Sequence, residues 1–253
     1  MFPAYSPDGR RLAAHTGLAA IFHNTIVVMN SDGTKRRPIF EDPAQNAVAP
    51  AWSPSGDRIA FGLGAYNTGT NAGLESHVVT VAPDGSDLRS LTAGLRGNYG
   101  FPSWSPDGKQ IVYRASEGKG RNLVVLDLVS GSRTTITSSG ANDNFPAWSP
   151  KGDAIVFASD RDGDWELYTV RPDGSGLKRL TTVPGNDAHP AWSPDGEWIA
   201  FASARGGFKD EMARGVGGGQ GAGDIFVMRS DGTDVRRLTD DSSEEATPAF
   251  KPK

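Results

Sequence analysis

The sequence predicts an all-β fold, a β-propeller of four-stranded antiparallel blades with five full repeats plus one extra strand, and three observations carry that expectation. The motif FPSWSPDG (Phe101 to Gly108) recurs as FPAYSPDG from Phe2, APAWSPSG from Ala49, FPAWSPKG from Phe145 and HPAWSPDG from His189, with a clipped sixth copy, TPAFKPK, from Thr247. The first prolines of the copies (Pro3, Pro50, Pro102, Pro146, Pro190, Pro248) are spaced by 47, 52, 44, 44 and 58 residues, a period that marks stacked repeat architectures. The 32 glycines and 17 prolines, set against 37% hydrophobic content, suit short strands joined by turns rather than long helices.

Each repeat reads as four strands. The first centres on the PAWSP segment, and the PDG-type turn after it supplies a proline that fixes φ and a glycine that accepts positive φ. The second is an apolar run: Ile59 to Phe61, Ile111 to Tyr113, Ile155 to Phe157, Ile199 to Phe201 and, more weakly, Leu12 to Ala14. The third is rich in β-branched and aromatic residues: Thr25 to Met29, His77 to Val81, Leu123 to Leu126, Glu166 to Val170 and Asp224 to Met228. A tight turn follows at Asp32-Gly33, Asp84-Gly85, Ser130-Gly131, Asp173-Gly174 and Asp231-Gly232, a strong hairpin signal. The fourth is polar, as an exposed edge requires: Arg36 to Ile39, Leu88 to Thr92, Arg133 to Thr137, Leu177 to Thr181 and Val235 to Thr239. The repeats are placed at about 2–48, 49–100, 101–144, 145–188 and 189–246, with a partial copy at 247–253, all in one domain. One blade has too little core to stand alone, so the motif aromatics (Tyr5, Trp52, Trp104, Trp148, Trp192, Phe250) are expected to pack between blades.

The formal charge of −4 gives no basic footprint for nucleic acid, and arginine pairs such as Arg36-Arg37 and Arg236-Arg237 fit solvated strand edges. The absence of cysteine excludes disulfides and thiolate metal sites. No apolar run is long enough to span a bilayer as a helix, so no membrane insertion is expected. The first motif begins at Phe2 without a secretion signal before it, the start expected of a mature form or a gene fragment.

The PAWSPDG motif, the strand ending Phe-Ala-Ser-Asp-Arg-Asp-Gly and the run ELYTVRPDGSGLKRLT together resemble the repeat of TolB-like β-propellers, over nearly the whole chain. The resemblance implies a ring that is usually six-bladed and a periplasmic or secreted setting. The family's namesake also carries a small N-terminal α/β domain, and peptidases with similar propellers carry a hydrolase domain after the repeats; residues 1–253 contain neither, nor a GxSxG elbow. Five repeats and one extra first strand leave two arrangements: a five-bladed ring with a surplus strand, or an open six-bladed ring, with the open or oligomer-completed form preferred.

Candidate site residues follow from the architecture. Residues just before PAW should meet at one mouth of the central channel, and they are polar: Asn98, Asn142, Asp143, Asn186, Asp187, Glu244 and Glu245 are candidate ligand-binding residues, with turn chemistry as the plainer role. His189 stands where other copies carry Phe2, Ala49, Phe101, Phe145 or Thr247, and is a candidate base or metal ligand beside Asp187 and Glu245. Arg114, Arg161 and Arg205 follow the second strands and could bind a carboxylate; pairing with an acid of a neighbouring blade is the preferred reading. His15, His23 and His77 show no zinc spacing. Asp160 to Glu166 superficially resembles a calcium loop, but its glycine falls at the wrong place and a hairpin turn is expected. The long loops 62–76 and 204–223 are candidate contact segments, the second being read as a spacer or a lid. These signals favour a non-catalytic binding or scaffolding module that contacts a protein or small ligand, without a cofactor, with a protein partner or self-association through the incomplete ring. The alternative is a lyase or hydrolase acting on a sugar or lactone at the channel mouth, with His189, Asp187, Asp143, Glu244 and Glu245 supplying acid, base or metal ligands.

Overall fold

The computed structural model describes residues 2–16, 24–64, 75–117, 120–205, 223–240 and 246–252, and among them it holds strands and turns without a helix. Blade one consists of β1 (Ala4–Tyr5), β2 (Arg11–Thr16), β3 (Thr25–Asn30) and β4 (Arg37–Phe40); blade two of β5 (Asn46–Trp52), β6 (Ile59–Gly64), β7 (Ser76–Val81) and β8 (Arg89–Ser90). Blade three holds β9 (Asn98–Trp104), β10 (Gln110–Ser116), β11 (Asn122–Asp127) and β12 (Arg133–Thr135). Blade four holds β13 (Asp143–Trp148), β14 (Ile155–Asp162), β15 (Asp164–Val170) and β16 (Lys178–Arg179). Blade five holds β17 (Asp187–Trp192), β18 (Trp198–Ser203), β19 (Asp224–Arg229) and β20 (Arg236–Arg237). Within each blade consecutive strands are antiparallel neighbours, and a single parallel bridge from Ser76 to Asn98 ties blade two to blade three. All five repeats therefore fold as the motif spacing predicts.

In blades two to five the fourth strands are shorter than expected, because side chains take over from the backbone ladder. The hydroxyls of Thr92, Thr137, Thr181 and Thr239 accept hydrogen bonds from the backbone N–H groups of Val78, Leu123, Leu167 and Ile225, at 3.1, 2.9, 2.9 and 2.9 Å. One threonine in each of these four blades thus finishes the edge that β8, β12, β16 and β20 leave early.

The cores lie between blades. Ala13, Ile26, Val28 and Ile39 of blade one pack on Trp52, Ile59, Phe61, Val79 and Val81 of blade two, and the same layers repeat around the ring. Second and third strands are buried on both faces, which is why Ile155, Val156 and Phe157 are consecutive apolar residues rather than an alternating pattern. The motif tryptophans join neighbours as expected: the indole N–H groups of Trp52, Trp104 and Trp192 donate to the carbonyls of Ala4, Ala51 and Ala147 in the preceding blade, at 3.1, 3.2 and 3.0 Å. Trp148 departs from this pattern. Its backbone N–H takes the Ser103 hydroxyl at 2.9 Å, and its indole turns to Gly152 of its own blade.

The sixth copy occupies a ring position of its own. Gly56 packs against Pro7 of the preceding motif, Gly108 against Pro54 and Gly152 against Pro106. Gly9 of blade one makes the corresponding approach to Pro252, so close that an added Cβ would stand 2.8 Å from the Pro252 carbonyl oxygen. On its other side, His189 Nδ1 of blade five lies 2.6 Å from the Ala246 carbonyl. Residues 246–252 therefore sit between blades five and one, at the inner position of a sixth blade.

Candidate functional site

The channel site begins with a backbone irregularity. The inner strands β5, β9, β13 and β17 each carry a register shift at their proline, which has no N–H to give the ladder. The residue before that proline adopts left-handed φ: 53° at Ala49, 54° at Phe101, 52° at Phe145 and 53° at His189. Such bulges re-aim side chains, and here they send aromatics together. Phe101 and Phe145 meet edge-on at 4.9 Å between ring centroids, and Phe145 meets His189 at 4.0 Å. Phe2 contacts His189, Phe101 and Phe145 at 5.0, 5.8 and 6.0 Å. These rings form an aromatic plug across the axis.

His189 thus does a phenylalanine's packing work and adds one polar contact. With a carbonyl as partner, its Nδ1 is the donor to Ala246. Asp187 lies two residues away but pairs elsewhere, so the structure does not bring His189 and Asp187 together as an acid–base set. Below Phe2 lies His15, buried, 3.4 Å from the Ala49 N–H and pushed down to about 4 by burial. It is a neutral acceptor.

On one side of the plug lies a cavity of about 380 Å³. It is lined by the prolines of all six motif copies with Trp148, Trp192 and Phe250, and its few polar walls include Ser103 and Thr247. Among the described residues, His189 is the one candidate from the set before PAW that lines it.

Those polar residues are engaged in holding blades and strands together. Asn46 and Asn186 accept hydrogen bonds from the backbone N–H groups of Asn24 and Trp165 in the preceding blade, at 3.1 and 3.2 Å. Asn142 donates its backbone and side-chain N–H groups to the two Asp160 oxygens, both at 2.7 Å. Asp143 and Asp187 are fully buried and bridge Arg161 and Arg205, each at 2.8 Å. The arginines were expected to pair across blades; they pair within one, because β14 and β18 lie antiparallel beside β13 and β17. Ser159 and Ser203 brace the two guanidinium groups at 2.9 and 2.8 Å, and Tyr168 and Phe226 stack on them at 4.8 and 4.6 Å.

Arg114 does not belong to this set. Three residues earlier in its strand, it projects from the other face, bonds Asn98 and stacks on Phe101 at 4.9 Å. Glu244 and Glu245 lie outside the described residues, as do His23 and positions 65–74 and 206–222 of the two long loops. Asp160 to Glu166 forms the β14–β15 hairpin, with Gly163 at φ 109°, and its acids diverge to Asn142, Tyr168 and Arg179. Among the described residues, no three His, Asp or Glu side chains are grouped to hold a metal ion.

One charged cluster escaped the sequence reading. Glu166 in β15 is buried, bonded to Arg179 at 2.8 Å and to the Thr181 hydroxyl. It also bears electrostatically on Asp187 of the next blade. Burial, opposed by Arg205, Ser203 and Thr181, pushes the Asp187 carboxyl up to about 6. A glutamate at a strand start gives no sign in one sequence of the acid it will face on another blade.

Comparison with known proteins agrees with this architecture. Residues 66–219, well over half of the chain, match the family model of the TolB beta propeller domain. Over 135 residues the chain is 36% identical to dipeptidyl-peptidase 5 of Porphyromonas endodontalis, covering 50% of this chain and 18% of that protein. It is 42% identical over 74 residues to the Tol-Pal system protein TolB of Haemophilus influenzae, covering 29% of this chain and 17% of that one. The matched stretch is under a fifth of either relative. The solved structure of a TolB from Agrobacterium tumefaciens, described as putative, superposes with a TM-score of 0.74 at 22% identity, covering 99% of this chain and 85% of that one. Motif, blade topology and family match agree: the chain belongs to the TolB β-propeller family.

Proposed function

We propose that the protein is a non-catalytic binding propeller that holds a protein partner at the ends of its central channel. The observation that carries this reading is the aromatic plug of Phe2, Phe101, Phe145 and His189, backed by an apolar cavity with proline walls. Acids that a lyase or hydrolase would deploy at the opposite end, Asp143 and Asp187, are enclosed and paired with arginine. An apolar recess with a few polar rim groups suits capture of a partner's apolar side chain. Likeness to TolB-type propellers supports a periplasmic or secreted setting, and no helix among the described residues is long and apolar enough to cross a membrane.

Two measurements test the reading. Thr247→Arg places a charge in the cavity wall and should abolish a partner contact that Val129→Asp, far out on blade three, leaves intact. In parallel, turnover of sugar-acid and lactone substrates should be undetectable with or without added manganese. Turnover that His189→Phe abolishes would overturn the binding reading in favour of the lyase or hydrolase.

A second reading rests on the 36% identity to dipeptidyl-peptidase 5: the chain is the propeller portion of a peptidase. Dipeptide release by a longer gene product, modulated by Thr247→Arg, would support it.

A further inference from the structure

We propose that Ser103 is the specificity-determining residue of the channel cavity, and that with Trp148 it selects an uncharged apolar group bearing a hydrogen-bond acceptor such as a carbonyl. The inference rests on the reading that this cavity is where the protein binds, and it names the chemistry of what enters.

The ring's own repetition exposes the feature. Ala4, Ala51, Ala147, Ala191 and Ala249 follow the motif proline in five copies, and the third copy alone carries a hydroxyl there, at Ser103. In the regular arrangement this residue offers its carbonyl to the next blade. Ala4, Ala51 and Ala147 accept the indole N–H groups of Trp52, Trp104 and Trp192 in this way. Ser103 interrupts the series. Its hydroxyl accepts the Trp148 backbone N–H at 2.9 Å, and the Trp148 indole turns to the Gly152 carbonyl at 3.4 Å, a long contact for an N–H donor. One corner of the ring is thereby rebuilt, and both residues line the cavity.

The supply of donors gives that corner its meaning. The six motif prolines in the wall have no N–H to offer. The Trp192 indole is committed to Ala147, the Ser193 hydroxyl to Asp195 and His189 Nδ1 to Ala246. A serine hydroxyl that accepts one bond still has its own proton to give. Among the described residues, no acceptor takes the proton of Ser103. Tyr5 and Thr247 carry the other hydroxyls of the wall, and both occupy positions where the copies vary freely.

Charge narrows the choice further. Among the described residues, no Asp, Glu, Lys or Arg lines the cavity. An ion entering it would shed its hydration without meeting a counter-charge. The space, about 380 Å³, falls in the range of small-ligand pockets, and all six motif copies wall it. Proline and tryptophan walls thus hold an apolar body, and the Ser103 hydroxyl reads an acceptor on it.

The test titrates the 253-residue chain with three probes while following the Trp148 indole signal in proton–nitrogen correlation spectra. Acetophenone carries a carbonyl on an apolar ring, ethylbenzene has nearly the same shape without the acceptor, and benzoate adds a charge. Acetophenone is expected to bind about five- to tenfold more tightly than ethylbenzene, the worth of one net hydrogen bond. Benzoate should not bind. In Ser103→Ala, which installs the residue of the other five copies, that preference should vanish while ethylbenzene still binds, and Tyr5→Phe should keep it. A preference that survives Ser103→Ala, or one lost in Tyr5→Phe instead, would overturn the assignment and leave the cavity as the binding site. Benzoate binding as tight as that of acetophenone would do the same. Failure of acetophenone and ethylbenzene alike to bind would sink both this proposal and the reading it rests on. A longer gene product that refuses acetophenone while the 253-residue chain takes it would place a segment of the same polypeptide in the cavity, and would also overturn selection of a separate ligand.

Discussion

At the scale of single residues, the chain's least comfortable group is Asp187. It is fully buried, one of its oxygens has no hydrogen-bond partner among the described residues, and Glu166 adds negative potential from the next blade. Arg205 offsets only part of this, and the carboxyl titrates at about 6 against an ordinary 3.8. A carboxyl raised in the folded state binds its proton more tightly there than in the unfolded chain. Its contribution to stability is therefore full below the ordinary value and is lost as pH rises through about 6. Between about pH 7 and about pH 5 the native protein should gain ~1 kcal/mol relative to Asp187→Asn, which cannot take up the proton. Urea denaturation of both proteins at the two pH values reads the difference directly, and parallel curves would show that the Asp187 carboxyl is not desolvated. The sequence announced Asp187 and Arg205 as polar residues near one end of the channel, but not their partnership. That pairing depends on the register of β17 against β18, which sets Asp187 opposite Ser203 and leaves Arg205 two residues beyond.

At the scale of elements, the threonine just beyond the fourth strand in blades two to five acts as part of that strand. Thr137 is 7% exposed and its hydroxyl is the acceptor for the buried Leu123 N–H. Replacing it by valine keeps the shape but orphans that donor, at a cost of about 1–3 kcal/mol. Thr137→Val should accordingly lower the urea midpoint with an unchanged m-value, while Thr134→Val, on the exposed edge of the same strand, should not. A full-sized effect at Thr134 would mean that strand propensity rather than the hydroxyl sets the edge. Elements of this kind were legible where apolar pattern and turn chemistry spoke together, as at Ile155 to Phe157 before the β14–β15 hairpin. The fourth strands were overextended in the reading because LKRLT looks continuous, whereas the final threonine contributes its side chain in place of a backbone acceptor.

At the scale of the whole molecule, the repeat spacing gave the blades, and TPAFKPK at the C-terminal end pointed to a further ring position. What one sequence could not express was the meeting of Phe2, Phe101, Phe145 and His189 on the axis. Each occupies the slot before a proline, and at Phe101, Phe145 and His189 a left-handed bulge turns that slot inward. The same geometry makes residues 246–252 a tie between the first and last blades, touching His189 on one side and Gly9 on the other. In a repeat array, each unit draws its stability from its neighbours, so terminal units fray first unless something joins them. Removing residues 246–253 should therefore lower Tm by several degrees, on the order of 2–4 °C for each kcal/mol lost in a chain of this size. It should also broaden the calorimetric transition, and amide exchange should accelerate in β1 to β3 and β17 to β19 before β9 to β15. The plug would lose the Ala246 contact that orients His189, so exchange at its Phe2 edge should rise as well. If the shortened chain instead melts in a single transition at the original temperature, the clipped sixth copy is a passenger and the five blades hold their ring unaided.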